Sequence, residues 1–336
     1  MGRQSQLVNM RQFLTMPDVQ LVAVCDVDAW RLETAKAAIE AAYGKQKGSG
    51  VWRGCEAYIA FRDLLARRDI DAVMISTPDH WHAPMALAAM EAGKDVSLEK
   101  PITRSIAEGR RLADIAVARK RVFRVDSEFR SLPHMIRALS YCDGMVTNWG
   151  THLNDIAQWA NNTERTGPIE IEGRGLYPAP GRLWNVLRTF EISYRFANGV
   201  QMTYSTGKPY VRFEGSEGWI QVDYPQGLAA NPASILDSKL EPNAIRFPLK
   251  SDKQDFIDAV KTRGKTLEDA EVGHRTTSLC HLGHIAIQVG QKLQWDPVKE
   301  RFLNSEAAGQ LIDKPISTAR PAIYKTHLAI FNSLTP

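Results

Sequence analysis

The first third of the chain alternates short apolar runs with stretches of helical periodicity. Apolar, partly β-branched runs typical of buried strands occur at 19–26, 71–76, 94–98 and 122–126. Between them, apolar residues recur at the three- and four-residue spacing of a helix, at 29–42, 61–67, 84–92 and 106–119. Strands that alternate with helices in this way predict a parallel sheet covered on both faces.

After Gly167 the pattern changes to an alternation of apolar and polar positions with a period of two. Two such runs, 190–196 and 200–204, flank the pair Asn198-Gly199, which predicts a tight hairpin turn with positive φ at both positions. Helical patterns follow at 252–263 and 269–293. We therefore predict a parallel α/β domain over residues 1–128 and an α+β domain with an open, mainly antiparallel sheet over residues 129–336.

Composition narrows the class of protein. With 336 residues, 44% of them hydrophobic, the chain can bury the cores of two domains. Its 42 basic and 38 acidic residues are scattered and leave a net charge of +4, which argues against nucleic acid as a partner. Four widely spaced cysteines favour neither a disulfide framework nor a zinc site. No segment is long and apolar enough to span a membrane, and we expect a soluble protein.

Asp26 ends the apolar run that begins at Val19. A carboxylate at the end of such a strand can accept hydrogen bonds from both hydroxyls of an adenine ribose, which favours NAD, while nearby Arg31 keeps NADP possible. The alternative is that Asp26 only begins the next turn. Upstream, the opening segment 1–5 lies at roughly the distance expected for the end of a glycine-rich fingerprint, in which Gly2 and Ser5 could take the second and third glycine positions.

The segment Thr77-Pro78-Asp79-His80-Trp81-His82 follows the second apolar run. It would lie at the carboxyl edge of a parallel sheet, where open α/β folds bind ligands. His80 and His82 could instead ligate a metal, but no acid or cysteine cluster completes a site, and a simple capping loop is the other alternative.

Lys100 lies in Glu99-Lys100-Pro101, directly after the third apolar run. A lysine at the carboxyl end of a strand, beside a nicotinamide, would lose proton affinity and could polarise a substrate oxygen. A lone lysine is otherwise a solvated surface residue.

His152 belongs to a second polar motif, in which it shares a helical face with Asn148 and Asp155. It could act as a general base near neutral pH, with Asp155 orienting it or contacting a polar substrate. The alternative is an ordinary amphipathic helix that contains a hydrogen-bonded histidine.

In their order along the chain, these motifs resemble the Gfo/Idh/MocA oxidoreductases. The resemblance rests on the strand end at Asp26, on 77–82, 99–101 and 149–152, and on the later segments 270–275 and 293–297. It implies a doubly wound Rossmann domain, a mixed domain with an open sheet, and hydride transfer to or from sugar-like carbons.

The resemblance also implies roles for individual residues. Lys100 and His152 fall on the family's motif lysine and histidine and are the expected catalytic pair, which handles the proton of the substrate hydroxyl. The expected cofactor contacts are Gly2, Arg3, Asp26, Arg31, Thr77, Pro78, His80, His82, Glu99, Lys100 and Pro101. The expected substrate contacts are Arg130, Asn148, Trp149 and Asp155, and no metal is expected.

The sequence departs from the family pattern at three places. The family's opening strand and first glycine have no counterpart, so we expect unpaired ladder groups in the sheet and impaired folding or weak cofactor binding. Between Ser131 and Asp143 the chain is short, and part of the substrate wall is expected to be missing. Asn148 replaces a frequent aspartate and cannot take up a proton at neutral pH.

The leading functional hypothesis is an NAD(P)-dependent dehydrogenase that acts on a sugar, glycoside or polyol. One alternative uses the same cofactor for transient oxidation and cleaves a glycoside without net redox change. Another is a binding protein that has lost catalysis. Family analogy also suggests a homo-oligomer. The expected location is the cytoplasm, with the periplasm as the alternative if a signal has been lost.

Overall fold

The computed structural model of the protein describes residues 4–48, 50–127, 145–179, 186–224, 227–237 and 251–313. The predicted contacts Gly2, Arg3 and Arg130 lie outside the described residues, as does the short stretch between Ser131 and Asp143. None of the described helices combines the length and the apolar character needed to cross a membrane.

The N-terminal part contains five short parallel strands and the helices that connect them. The strands are β1 (Ala23–Cys25), β2 (Glu56–Tyr58), β3 (Ala72–Ile75), β4 (Asp95–Glu99) and β5 (Phe123–Asp126). A π-helical turn, Ser5–Asn9, runs into α1 (Met10–Leu14), and the connecting helices are α2 (Ala29–Gln46), α3 (Phe61–Leu65), α4 (His82–Glu91) and α5 (Ile106–Ala118). The predicted alternation of strands and helices is confirmed, although the sequence reading missed β2, a strand of three residues.

Side-chain hydrogen bonds cap the starts of α2 and α5. The Asp28 carboxylate accepts from the N–H of Arg31 at the start of α2, and the Ser105 hydroxyl accepts from the N–H of Glu108 at the start of α5. Such caps satisfy backbone donors that have no partner within the helix.

The five parallel strands form two separate sheets. β1 pairs only with β2, while β3, β4 and β5 form a second sheet with β4 in the middle. Between β1 and β3 lies a cavity of about 230 Å³. Apolar residues of both strands line it, including Val24 and Ile75, and no described strand occupies it. Among the described residues, the edges of β1 and β3 that border this cavity have no strand partner.

The C-terminal part is built on an antiparallel sheet of five strands in the order β13-β12-β6-β7-β8. These strands are β6 (Pro168–Leu176), β7 (Thr189–Phe196), β8 (Gln201–Ser205), β12 (Leu293–Asp296) and β13 (Arg301–Phe302). A second antiparallel sheet holds β9 (Tyr210–Gly215), β10 (Gly218–Asp223) and β11 (Leu228–Asn231). The helices are α6 (Met145–Asn148), α7 (Gly150–Ala160), α8 (Asp252–Thr262), α9 (Ala270–Val289) and α10 (Glu306–Gly309).

The hairpin between β7 and β8 corrects one detail of the prediction. Gly199 alone has positive φ, at 88°, whereas Asn198 does not. The Gly199 N–H donates to the Phe196 carbonyl, which closes a four-residue turn that ends at the left-handed glycine. This is the three-residue connection in which only the last position requires a left-handed backbone.

α9 forms the centre of the C-terminal core. Its buried residues pack against the inner face of the five-stranded sheet, where Phe190, Ile192, Tyr194 and Phe196 alternate with exposed neighbours. The Tyr194 hydroxyl donates to the Leu279 carbonyl in α9. The alternating pattern of β7 therefore places one face of the sheet on α9 and leaves the other accessible to solvent.

Candidate active site

The candidate site lies where β3, β4 and β5 end. Because these strands are parallel, their carboxyl ends meet at one edge of the sheet. The residues that follow them are Ser76 and Thr77 after β3, Lys100 and Pro101 after β4, and Ser127 after β5. The sequence prediction that two separate motifs lie at this edge is confirmed.

His152 reaches the same edge from α7. Its side chain is 9% exposed, and its Nδ1 lies 3.1 Å from the Ser127 hydroxyl oxygen. Burial, and secondly the positive charge of Lys100, lower the pKa of His152 well below its ordinary value. Glu99 of β4 pairs with Asp126 of β5, so Lys100 and Ser127, the hydrogen-bond partner of His152, follow neighbouring strands at the same edge of the sheet.

Gly150 explains how α7 can bring His152 to this place. A Cβ at position 150 would lie 2.6 Å from the Cys280 sulfur of α9. Only glycine allows this approach, so the helix starts directly against α9 and presents His152 two residues later. Trp149, just before the helix, packs edge-on against Tyr224, with ring centroids 5.3 Å apart.

Asp155 has a different environment from the one expected. Its carboxylate is fully buried and accepts a hydrogen bond from the Thr276 hydroxyl at 3.2 Å. The contact joins α7 to α9. Asn148 lies in α6, and its side chain is not among the described groups.

The loop after β3 divides the predicted cofactor contacts into two groups. Pro78 and His80 are exposed and Thr77 is partly exposed at the sheet edge. His82 is instead 1% exposed, with both ring nitrogens on backbone carbonyl groups. His82 is therefore buried, and backbone carbonyl groups contact both of the ring nitrogens that were expected to face a cofactor.

Glu99 and Pro101 are also buried, on either side of the partly exposed Lys100. The Glu99 carboxylate accepts from the Asn9 amide at 3.0 Å, and the same amide donates to the Ser76 hydroxyl at 2.9 Å. Asn9 thus ties the N-terminal helix to the ends of β3 and β4. Sequence reasoning missed Asn9, although its position one turn after Ser5, on the helix that opens the fold, was a usable signal.

A buried charge cluster supports the end of β5. Lys253 of α8 is 1% exposed and donates to the carboxylates of Asp126 and Asp252, the latter at 2.8 Å. Burial raises the pKa of Asp126 well above its usual range, although the charge of Lys253 opposes this shift. Asp126 directly precedes Ser127, so the cluster fixes the end of β5, next to the hydrogen-bond partner of His152.

Asp26 and Arg31 lie at the carboxyl end of the other sheet. The Asp26 carboxylate is partly exposed and accepts from the N–H of Asp28 at 2.9 Å. Arg31 lies one helical turn into α2, with its guanidinium 3.6 Å from the Asp28 carboxylate. Among the residues that the structure describes, no cluster of histidine, cysteine and acidic side chains could hold a metal ion.

Fold and site together define a class of protein. A lysine follows a strand of a Rossmann-type parallel sheet, and a buried histidine reaches the same edge from α7, in the part of the chain that contains the antiparallel sheet. The family model for the oxidoreductase NAD-binding Rossmann fold matches residues 2–127, and the model for the C-terminal alpha/beta domain of the same family matches residues 110–321. The chain belongs to the Gfo/Idh/MocA oxidoreductase family.

Curated relatives match over a limited stretch. A glycosyl hydrolase family 109 protein of Shewanella putrefaciens is 38% identical over 108 residues, which cover 32% of this chain and 23% of the relative. The glycosyl hydrolase family 109 protein 2 of another Shewanella is 41% identical over 104 residues, or 31% of this chain and 22% of the relative. The chain thus matches about a quarter of the length of these relatives.

Solved structures share the fold over most of the chain. The aldose-aldose oxidoreductase from Caulobacter crescentus superposes with a TM-score of 0.67 at 16% identity, over 87% of this chain and 97% of that one. The WlbA dehydrogenase from Bordetella pertussis, crystallised with NADH and UDP-GlcNAcA, gives a TM-score of 0.65 at 15% identity, over 88% and 96% of the two chains.

Proposed function

We propose that this protein transfers a hydride between a nicotinamide cofactor and an alcohol carbon of a sugar, glycoside or polyol. The observation that carries the proposal is that Lys100 and Ser127 follow the paired strands β4 and β5, and that the buried His152 contacts the Ser127 hydroxyl at this edge. A lysine and a histidine can bind a substrate hydroxyl and exchange its proton. The divisions at residues 1–128 and 129–336, for cofactor and substrate respectively, belong to the same proposal.

The residues present suit a dinucleotide. Two buried polar atoms at the sheet edge have no protein partner, the Asn9 Oδ1 and the Thr77 Oγ1, and such atoms suit a polar ligand. Asp26 offers a carboxylate at the end of β1, where it would accept from ribose hydroxyls. Because Arg31 is directed to Asp28, we propose NAD rather than NADP. When bound, the nicotinamide accepts or donates the hydride.

Lys100 and His152 would take different parts in the transfer of the hydroxyl proton. The Lys100 ammonium donates a hydrogen bond to the substrate oxygen and favours its anionic form. His152 is neutral at neutral pH because burial and Lys100 disfavour its charged form, so it can accept the hydroxyl proton. When Ser127 accepts from the Nδ1–H of His152, Nε2 is the basic nitrogen and the ring orientation is fixed.

A cofactor and substrate screen tests the proposal. The purified chain is mixed with NAD or NADP and a panel of sugars, glycosides and polyols, and the absorbance of the reduced nicotinamide is followed. Lys100→Met and His152→Gln should each lower kcat/KM by about 100-fold or more, as expected for removal of a general acid or base. Lys45→Met, which changes an exposed lysine of α2, is the matched control. Turnover that survives replacement of both Lys100 and His152 would exclude the assigned roles.

A second candidate function is glycoside cleavage through transient oxidation, with no net change of the cofactor. The local identity of about 40% with glycosyl hydrolase family 109 proteins favours it. Product analysis separates the two reactions, because cleavage releases the aglycone while NAD is recovered unchanged. Absence of both NAD binding and sugar-dependent reduction would support the remaining alternative, a binding protein that has lost catalysis. A homo-oligomer and a cytoplasmic location remain expectations from family analogy.

A further inference from the structure

Trp30 presents an exposed indole near the end of β1. It is the second residue of α2 and is 70% exposed. α2 packs on the core through Leu32, Ala35 and Ile39. At about 100° per residue, Trp30 lies on the side of the helix opposite to these three residues. The packing of α2 therefore does not require an aromatic residue at this position, although folding normally covers much of so large an apolar surface.

Two further apolar residues are exposed at the same edge of the sheet. Asp26 donates its N–H to the carbonyl of Tyr58 at 3.1 Å, so the two segments run side by side at the ends of the paired strands β1 and β2. Val27 and Ile59, the residues that follow, are 81% and 51% exposed. Trp30 comes three residues after Val27, in the first turn of α2. Val27, Trp30 and Ile59, here called the edge patch, thus expose apolar surface where a ligand or another molecule can cover it.

The chemistry beside the edge patch suits a nucleoside. The Asp26 carboxylate is partly exposed and accepts a hydrogen bond from the Asp28 N–H. A carboxylate has about four acceptor positions, and one at the end of such a strand accepts from ribose hydroxyls. A base attached to that ribose is best covered by a flat apolar group, and an aromatic side chain stacks on the face of any base. A carboxylate for the sugar and an exposed indole for the base therefore fit an adenosine group.

We propose that Trp30 is a specificity-determining residue for the cofactor and that its indole stacks on the adenine ring. The inference rests on the proposed function, which supplies the dinucleotide and assigns its nicotinamide ring to the other parallel sheet, where Lys100 follows β4. Stacking on adenine is the same before and during hydride transfer. Loss of the indole should therefore raise the KM for NAD and leave kcat unchanged.

Calorimetric titration of the full chain tests the stacking contact and does not depend on turnover. AMP carries the adenine ring, whereas ribose 5-phosphate has the same sugar phosphate and no base. Trp30→Ala should weaken the binding of AMP and NAD by about 10-fold or more, the effect of removing one base–aromatic stack, and should leave the Kd of ribose 5-phosphate unchanged. Trp30→Phe keeps an aromatic ring and should retain most of the affinity. Tyr210→Ala, which removes an exposed ring from β9, is the control.

Three outcomes would overturn the stacking role of Trp30. The first is an equal Kd for AMP in the wild type and in a folded Trp30→Ala protein, and the second is failure of the unaltered chain to bind AMP. The third is self-association, measured by sedimentation, that Trp30→Ala abolishes while AMP binding is unaffected, which would assign the edge patch to a second copy of the chain. AMP binding that depends on Trp30, in a protein that turns over no sugar, would support the stacking contact and reject the proposed function alone.

Discussion

At the scale of single residues, burial decides which polar groups can act. Lys100 is partly exposed and His152 is almost fully buried, and the proposed function uses both. Asp155 shares a helical face with His152 in the sequence, but its carboxylate is committed to Thr276. The hydrogen-bond partner of His152 is Ser127, from a different strand. Helical spacing predicted Asp155 as a partner of His152, whereas the hydrogen bonds of the two side chains go to Thr276 and Ser127, because spacing does not report what the facing surfaces offer.

His152 makes the stability of the fold depend on pH. Its pKa is lowered in the folded state, so the unfolded chain binds a proton more readily. The folded state therefore loses stability as the pH falls below about 6.5, the ordinary histidine pKa, toward the lower folded pKa. Between pH 6.5 and 5.5 the loss attributable to His152 is about 1 kcal/mol.

Denaturant unfolding of the wild type and of His152→Gln at these two pH values measures the loss. The variant should lose about 1 kcal/mol less than the wild type over the interval. His274, whose pKa is also lowered, is present in both proteins and its effect cancels. Equal pH dependence of the two proteins would show that His152 carries no proton-linked stability.

At the scale of elements, two lysines of α8 form ion pairs in opposite environments. Lys253 is 1% exposed and bound to Asp126 and Asp252, whereas the Lys261 side chain is 49% exposed and pairs with Asp18 near the end of α1. Removing one partner of a buried pair leaves an uncompensated charge, while an exposed pair contributes little. The ion pair between Lys253 and Asp126 attaches α8 to β5, whereas the ion pair between Lys261 and Asp18 lies at the surface.

This difference predicts unequal effects of the same substitution. Lys253→Met should lower the free energy of unfolding by about 3–5 kcal/mol, and Lys261→Met by about 1 kcal/mol or less. Denaturant titration of both variants at neutral pH gives the two values. Similar small losses for both would mean that the buried carboxylates find other partners or take up protons at no cost.

At the scale of the whole molecule, the parallel strands are divided by the cavity between β1 and β3. Each sheet has a helical cover, but the ladder edges that face the cavity have no strand partner among the described residues. A strand between them would be parallel to both and buried on both faces, which requires a continuous apolar run. Ser5 lines the cavity, so a strand fused upstream could lead directly into the helix that begins there.

An added strand should therefore stabilise the fold. We expect a five-residue apolar, β-branched segment and a glycine turn, fused ahead of Met1, to raise Tm by several degrees, since about 1 kcal/mol corresponds to roughly 2–4 °C in larger domains. NAD should also bind more tightly. A glycine-serine extension of equal length is the control, and equal Tm values for the two fusions would show that the cavity does not accept a strand.

The sequence by itself determined the order of the elements and the set of motifs, because alternating apolar runs and helical periodicity are local properties of the chain. It placed Lys100 and the residues 77–82 at strand ends and identified His152. Tertiary structure alone decided that Lys100 and Ser127 follow neighbouring strands, that Ser127 is a hydrogen-bond partner of His152, and that His82 is buried. These facts depend on how distant segments pack, since burial and hydrogen-bond partners come from surfaces that the local pattern does not specify.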